Sequence, residues 1–312
     1  MKLLAKGIYP TMLAAYTEDK KIDYRAMKQL LEWYLAKGVQ GIYALCHSTE
    51  IHWLTFEERL ELARFVIKTV RGRAAVVVSG NVESDINRQI YEANRLIELG
   101  PDAIAFVRNR VDSGGRRSFQ SGIEKILAGI PEGITLGMYE CPYPYRKYLS
   151  LEEMKFLIAT GRFGFLKDTI CDKEVMRARQ KLAQDTPFQL YNANSATLLE
   201  SLRFGYDGYC GVMANFHPEL YVWLYEHQGE SRADLIGRYL GAASLIEGRC
   251  YPICAKRYLK RYERIEISDF CRSVPDETVP ALWDELEDLY VMAQSALRMT
   301  ESENCLILSE PC

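Results

Sequence analysis

The 312-residue sequence lacks the features that mark membrane, secreted and nucleic-acid-binding proteins. No apolar stretch is long enough to cross a membrane, and the N-terminal segment MKLLAKGIYPTML has neither a long apolar core nor a small-residue cleavage site. The net charge is only -3, which gives no field that attracts nucleic acid or an anionic membrane. We therefore expect a cytoplasmic protein with small-molecule partners.

Metal-binding motifs are also absent from the sequence. The nine cysteines are scattered without a CxxC pair, a pattern typical of reduced, mostly buried thiols. His47, Glu50 and His52 lie within six residues of one another, but their order is not the HExxH of a zinc-binding helix. The sequence therefore predicts no metal site.

Hydrophobic runs typical of β-strands recur eight times along the chain. They begin at Gly7, Gly38, Ala74, Asp102, Ile134, Phe163, Pro187 and Gly208. An amphipathic helical segment follows each of the first seven runs. The runs are continuously apolar, which indicates burial on both faces of a sheet. Eight such units predict an α/β fold, a (β/α)8 TIM barrel, whereas an open doubly wound sheet usually has fewer strands and needs a glycine-rich loop after the first one.

Helix boundaries and the C-terminal region complete the predicted architecture. Cap residues are expected at Asp23, Thr55, Ser84, Ser150 and Ser195, and helix ends at Gly38, Gly100 and Gly205. Beyond about residue 231 the strand pattern stops and three helical segments follow, the last being DETVPALWDELEDLYVMAQSALRM. We therefore predict a barrel over residues 1–230 and a C-terminal helical region over residues 231–312, packed on the barrel or on another subunit.

Two predicted strand ends carry side chains suited to one kind of chemistry. The run ITLGMY ends at Tyr139, and after one helical segment the run FGFLK ends at Lys167. A right-handed crossover makes the two strands parallel, so as neighbours their ends lie about 5 Å apart. An amine beside a phenol suits Schiff-base chemistry, in which lysine attacks a ketone and tyrosine transfers protons. Asp168 is expected to point to the other side of the wall, towards a salt bridge or hydrogen bond.

The loop after the second strand offers an anion site. Ser48 and Thr49 precede a helical segment, and their hydroxyls and free backbone N–H groups suit a carboxylate. A substrate that has a carboxylate for this site and a ketone for the lysine is a 2-oxo acid.

Four segments resemble the dihydrodipicolinate synthase and N-acetylneuraminate lyase family, class I aldolases on a (β/α)8 barrel. GIYALCHSTEIHWLTFEER is similar to the family's G(S/T)TGE…L(T/S)xEER segment, MYECP to YNxP, FGFLKD to GxKD/E, and YDGYCGVMANFHPEL to GxxGxxSxxxNxxPE. The resemblance covers most of the chain. It implies that Lys167 forms the Schiff base, that Tyr139 relays protons, and that Ser48 holds the pyruvate carboxylate with help from the Thr49 N–H, without a cofactor.

The sequence departs from the family pattern at several places. His47 replaces the hydroxyl that normally links to the tyrosine, and it either relays protons or only packs and hydrogen-bonds. The arginine that holds the synthases' second substrate falls on Pro144, and Arg146 either substitutes for it or lies solvated at the surface. The residues with which sialic acid lyases grip the sugar fall on Asn194, Ser195 and Val212. Neither well-known substrate is therefore indicated, and Arg146 and Asn194 are candidate contacts for another.

The predicted function is that of a lyase: a class I aldolase that makes or cleaves a carbon–carbon bond between pyruvate, or a related 2-oxo acid, and an aldehyde. One alternative ends the same imine chemistry in dehydration or in a synthase-type condensation. Another is a catalytically silent barrel acting as a binding protein, suggested by the altered CHST loop and by the missing aromatic residue after the fourth strand. The resemblance also implies a homo-oligomer, either a dimer or a tetramer.

Overall fold

Eight parallel strands form a barrel in the computed structural model of the chain, which describes residues 2–112, 118–274 and 280–301. The strands are β1 (Gly7–Ile8), β2 (Gly41–Leu45), β3 (Ala75–Ser79), β4 (Ala103–Val107), β5 (Thr135–Tyr139), β6 (Phe163–Asp168), β7 (Gln189–Asn192) and β8 (Gly208–Tyr209). From β2 to β8 each strand pairs with the next along the chain, and β8 also pairs with β1. A parallel bridge between Thr11 and Tyr43 joins the segment after β1 to β2. The predicted fold class is confirmed.

Helices follow the strands and surround the barrel. They are α1 (Tyr24–Ala36), α2 (Phe56–Val70), α3 (Ile86–Ile97), α4 (Arg108–Val111), α5 (Phe119–Gly129), α6 (Leu151–Ala159), α7 (Lys173–Ala183), α8 (Leu198–Arg203) and α9 (Pro218–Glu226). The C-terminal region adds α10 (Arg232–Ala243), α11 (Ile253–Tyr262) and α12 (Trp283–Glu301). Short 3-10 turns lie at His47–Thr49, Ile51–Trp53, Val212–Asn215 and Ser244–Gly248.

The helix caps show which local signals the chain uses. Asp23, Thr55 and Ser150 cap α1, α2 and α6 as predicted, the last two in capping boxes with a glutamate three residues on. Two predicted caps are wrong. Asp85, not Ser84, accepts the Arg88 N–H at the start of α3. The Ser195 hydroxyl instead contacts the buried hydroxyls of Tyr209 and Tyr221, because α8 begins only at Leu198.

The last helix is shorter than predicted. The sequence pattern extends it from Asp276, whereas α12 begins at Trp283, a few residues after Pro280. Residues 275–279 lie outside the described residues. A proline is tolerated only in the first turn of a helix, so the residues around Pro280 are a natural boundary.

The protein has two hydrophobic cores, one inside the barrel and one between the strands and the surrounding helices. The inner core fills the barrel with side chains such as Tyr9, Phe165 and Tyr191, and Leu4 covers it through backbone hydrogen bonds to Gln189. The outer core packs the helices on the strands and includes residues of α10 and α12. The division of the chain at residue 230 stays a prediction.

A buried ion triad fastens β5 and β6 to α7 outside the barrel. The Arg179 guanidinium lies 2.6 Å from a Glu140 oxygen and 2.7 Å from an Asp168 oxygen, and all three side chains are at most 1% exposed. Glu140 also accepts the N–H groups of Leu149 and Thr169. The outward ion pair predicted for Asp168 is confirmed.

Replacing Arg179 with methionine is expected to destabilise the protein strongly, because two carboxylates would remain buried without their cation. The expected loss is about 3–5 kcal/mol in the free energy of unfolding, measured by urea denaturation. Arg177→Met is the matched control: this residue lies on the same helix, pairs with Glu200 and is half exposed, so its loss should cost less than about 1 kcal/mol. Equal stability of the two variants would contradict the role given to the triad.

Candidate active site

Lys167 and Tyr139 lie side by side at the ends of their strands. The two residues are direct partners in the register of β5 and β6. The Lys167 Nζ lies 4.1 Å from the centre of the Tyr139 ring, and the lysine is only 4% exposed. Strand alternation explains the placement: Glu140 and Asp168 point outwards to Arg179, so the preceding residues point into the barrel.

A second tyrosine completes the surroundings of the amine. The Tyr43 ring centre lies 5.0 Å from the Lys167 Nζ, and the ring meets that of Tyr139 edge to face at 5.5 Å. The Tyr43 hydroxyl is 2.8 Å from the Ser79 hydroxyl. Burial raises the pKa of Tyr139 well above its usual value, with a further contribution from Cys141. The phenol beside the amine is therefore a neutral proton donor at rest.

Ser48 belongs to a buried polar cluster formed by the segments that follow β1 and β2. Its hydroxyl donates to the Thr11 hydroxyl at 2.9 Å. Tyr251, from the C-terminal region, reaches the same cluster: burial raises the pKa of its phenol well above the usual value, and hydrogen bonds to Ser48 and Thr11 oppose that rise. The Tyr251 oxygen also accepts a hydrogen bond from Asn215 at 3.1 Å. Hydroxyl groups from three parts of the chain thus meet at the position where the sequence predicts a binding site for the substrate carboxylate.

Thr49 anchors the loop that carries Ser48. Its hydroxyl lies 2.7 Å from the carbonyl oxygen of Met12 and 2.9 Å from that of Ala44. Its N–H, expected to be free for a carboxylate, donates to the Cys46 oxygen at 3.2 Å. The difference arises because residues 47–49 form a tight 3-10 turn that uses this N–H internally.

His47 lies in an aromatic group at the edge of the site. Its ring stacks on that of Tyr143 at 5.5 Å, and His52 packs against the same tyrosine at 4.6 Å. Burial lowers the pKa of His47, and the charge of Lys167 lowers it further. The imidazole is therefore predominantly neutral at pH 7, and its pKa depends in part on the charge of Lys167.

A pocket of about 250 Å³ opens above Lys167 and Tyr139. Both predicted contacts, Arg146 and Asn194, line it, together with Glu247 from the C-terminal region. The side-chain oxygen of Asn194 accepts from the Thr197 N–H at 3.0 Å, so this amide is fixed. Burial raises the pKa of Glu247 to about 7, and Arg146 opposes that rise. The pocket therefore contains a cation and a carboxyl group that titrates near neutrality.

Sequence reasoning missed Tyr43, Tyr251 and Glu247. Strand alternation could have identified Tyr43, because it is a polar aromatic residue at an inward position in the middle of β2. The other two belong to the segment between α10 and α11, and only the tertiary packing of the C-terminal region brings them to the site. No local pattern signals that packing.

A family comparison agrees with this geometry. The model of the dihydrodipicolinate synthetase family matches residues 4–265. The chain belongs to the dihydrodipicolinate synthetase family. The family's members are lyases of the aldolase type, so the predictions of an enzyme and of its class are confirmed.

Several relatives in this family cover nearly the whole chain. A 4-hydroxy-tetrahydrodipicolinate synthase of Staphylococcus carnosus is 23% identical over 272 residues, covering 86% of this chain and 91% of that protein. The structure of the corresponding synthase from Methylacidiphilum fumariolicum SolV has a TM-score of 0.81 at 18% identity, covering 95% and 98% of the two chains. The N-acetylneuraminate lyase of Fusobacterium nucleatum, solved with pyruvate, has a TM-score of 0.78 at 18% identity and covers 94% and 97%.

The similarity to solved structures supports the family fold, a barrel followed by C-terminal helices. Among the helices that the structure describes, none is long and apolar enough to span a bilayer.

Proposed function

We propose that this family member forms a Schiff base between Lys167 and the C2 carbonyl of pyruvate or a related 2-oxo acid, and makes or cleaves a carbon–carbon bond to an aldehyde. The observation that carries the proposal is the position of the buried Lys167 Nζ, 4.1 Å from the Tyr139 ring centre. Pyruvate in the structure of the related lyase supports the choice of 2-oxo acid.

The proposed first half of the reaction joins the amine to the ketone. The uncharged Lys167 amine attacks C2 and forms a carbinolamine. Tyr139, whose raised pKa keeps it protonated, donates a proton to the departing hydroxyl, which leaves as water. The product is a protonated imine that withdraws electrons from the neighbouring carbon.

The second half uses this electron sink. The Tyr139 phenolate left by the first half takes up a C3 proton, which gives an enamine. The enamine attacks the aldehyde carbon and forms the new bond, and Tyr139 returns the proton to the resulting alkoxide; cleavage is the reverse. Hydrolysis of the imine then releases the product and restores the amine. No cofactor is required for these steps.

The carboxylate of the 2-oxo acid is proposed to bind at Ser48. The Ser48 hydroxyl, which donates to Thr11 in this structure, is proposed to turn and donate to the carboxylate. The Thr49 N–H is proposed to share its hydrogen bond between the carboxylate and the Cys46 oxygen. His47 is proposed to contact substrate at the edge of the site, where its neutral imidazole is next to Lys167. This arrangement holds C2 towards the amine.

The Schiff base is tested by reduction with borohydride in the presence of pyruvate, followed by peptide mass spectrometry. We expect one reduced adduct, on Lys167, and none on the Lys167→Met variant. Lys147→Met serves as the matched control and should keep the adduct, because this lysine is partly exposed and pairs with Asp112. Absence of an adduct on Lys167 with several 2-oxo acids would refute the proposal.

The aldehyde is proposed to occupy the end of the pocket formed by Arg146, Asn194 and Glu247. Arg146 offers two N–H groups to an anionic substituent, and Glu247 offers a hydrogen bond to a hydroxyl. A screen of aldehydes as substrates separates this aldolase reaction from dehydration and from condensation on the same imine. Comparing aldehydes with and without an acidic group tests the contact with Arg146.

The pH dependence of aldehyde binding tests the Glu247 contact. A carboxyl with a pKa of about 7 is neutral below that pH and charged above it, so an anionic aldehyde should bind more weakly as the pH rises through 7. Glu247→Gln should remove this rise in KM while leaving the yield of pyruvate adduct unchanged. Glu200→Gln, at the outer surface, is the control. An unaltered KM profile in Glu247→Gln would exclude Glu247 from the aldehyde site.

Two further properties remain proposals. We propose that the enzyme is a homo-oligomer of two or four subunits, because the side chains of Leu245, Val291 and Met292 leave apolar surface exposed on the C-terminal region. A cytoplasmic location is supported by the free state of the seven described cysteines.

A further inference from the structure

Three potential metal ligands converge beside the site. His47 and His52 lie in the two 3-10 turns after β2, and Cys141 follows β5. Each offers one ligand atom, and these atoms lie within 4.8 Å of one another. Sequence spacing gave no third ligand for the two histidines; the third comes from a strand three positions away in the barrel.

The two imidazoles have unused polar atoms. His47 Nδ1 and His52 Nε2 are both buried and have no hydrogen-bond partner in the described structure. A buried polar atom left unsatisfied destabilises the fold, and such an atom needs an explanation such as an ion. Tyr143 and Trp53 pack against both rings, which limits their freedom to turn towards water.

The chemistry of the donors selects the ion. Two imidazole nitrogens and one thiolate suit Zn²⁺ or a similar borderline-soft divalent cation, whereas Mg²⁺ and Ca²⁺ require oxygen ligands. Three protein ligands leave the fourth tetrahedral position open to water or another small ligand.

We propose that His47, His52 and Cys141 form a binding site for one Zn²⁺ or a similar transition-metal cation. The cation replaces the proton of the Cys141 thiol, so each bound ion releases one proton and forms one metal–sulfur bond. Small side-chain shifts bring the ligand atoms from within 4.8 Å of one another to the separations of a tetrahedral site. Binding does not require the Schiff base.

Titration of the chelator-treated protein with Co²⁺ tests this site, since a cobalt–thiolate bond has a charge-transfer absorption in the near ultraviolet. We expect one equivalent to give this absorption and Zn²⁺ to remove it by displacing cobalt. Cys141→Ser should abolish the absorption, and His52→Gln should weaken binding by more than about tenfold. Circular dichroism verifies that both variants are folded.

Matched controls are Cys171→Ser and His227→Gln, which change an exposed thiol and a histidine outside the cluster. Both should bind cobalt as the unaltered protein does. The proposal is overturned if no charge-transfer absorption develops, or if Cys141→Ser retains it. Because the readout is spectroscopic, failure here is distinct from failure to form the pyruvate adduct.

Discussion

The contact of Arg179 with Glu140 and Asp168 is the constraint on which the site depends. One carboxylate, Glu140, directly follows β5, the other, Asp168, ends the neighbouring β6, and one buried guanidinium holds both. Because side chains alternate across a strand, fixing these residues outside the barrel fixes Tyr139 and Lys167 inside it, at matching heights. The ion triad and the lysine–tyrosine pair thus lie on opposite sides of the same pair of strands. Loss of the triad is therefore expected to disturb the position of the lysine and the tyrosine.

The interior of the barrel gives this pair its chemical character. Lys167 lies beside the rings of Tyr43 and Tyr139 and is almost fully buried, and the phenol of Tyr139 remains protonated. The polar groups of the site lie around this apolar centre: hydroxyls near Ser48, and charges near Arg146 and Glu247. Such a separation suits a small 2-oxo acid whose ketone meets the amine while its two ends meet different polar groups.

The sequence predicted the parts of this arrangement that depend on local periodicity. Eight apolar runs became eight strands, and the ends of two of them carried Tyr139 and Lys167 to one face. The sequence did not predict Tyr251 or Glu247, because their positions depend on how the C-terminal region packs. It also missed the meeting of Cys141 with two histidines, since ligands from different strands have no fixed spacing along the chain.

The central claim is that the lysine at the end of β6 is the residue that reacts with the 2-oxo acid. The most direct test is a crystal structure of the enzyme after incubation with pyruvate and borohydride. We predict continuous electron density from the Lys167 Nζ to C2 of the ligand, with its carboxylate at Ser48 and its C2 beside Tyr139. Density for an adduct on another lysine, or unmodified Lys167 with pyruvate bound elsewhere, would contradict the account.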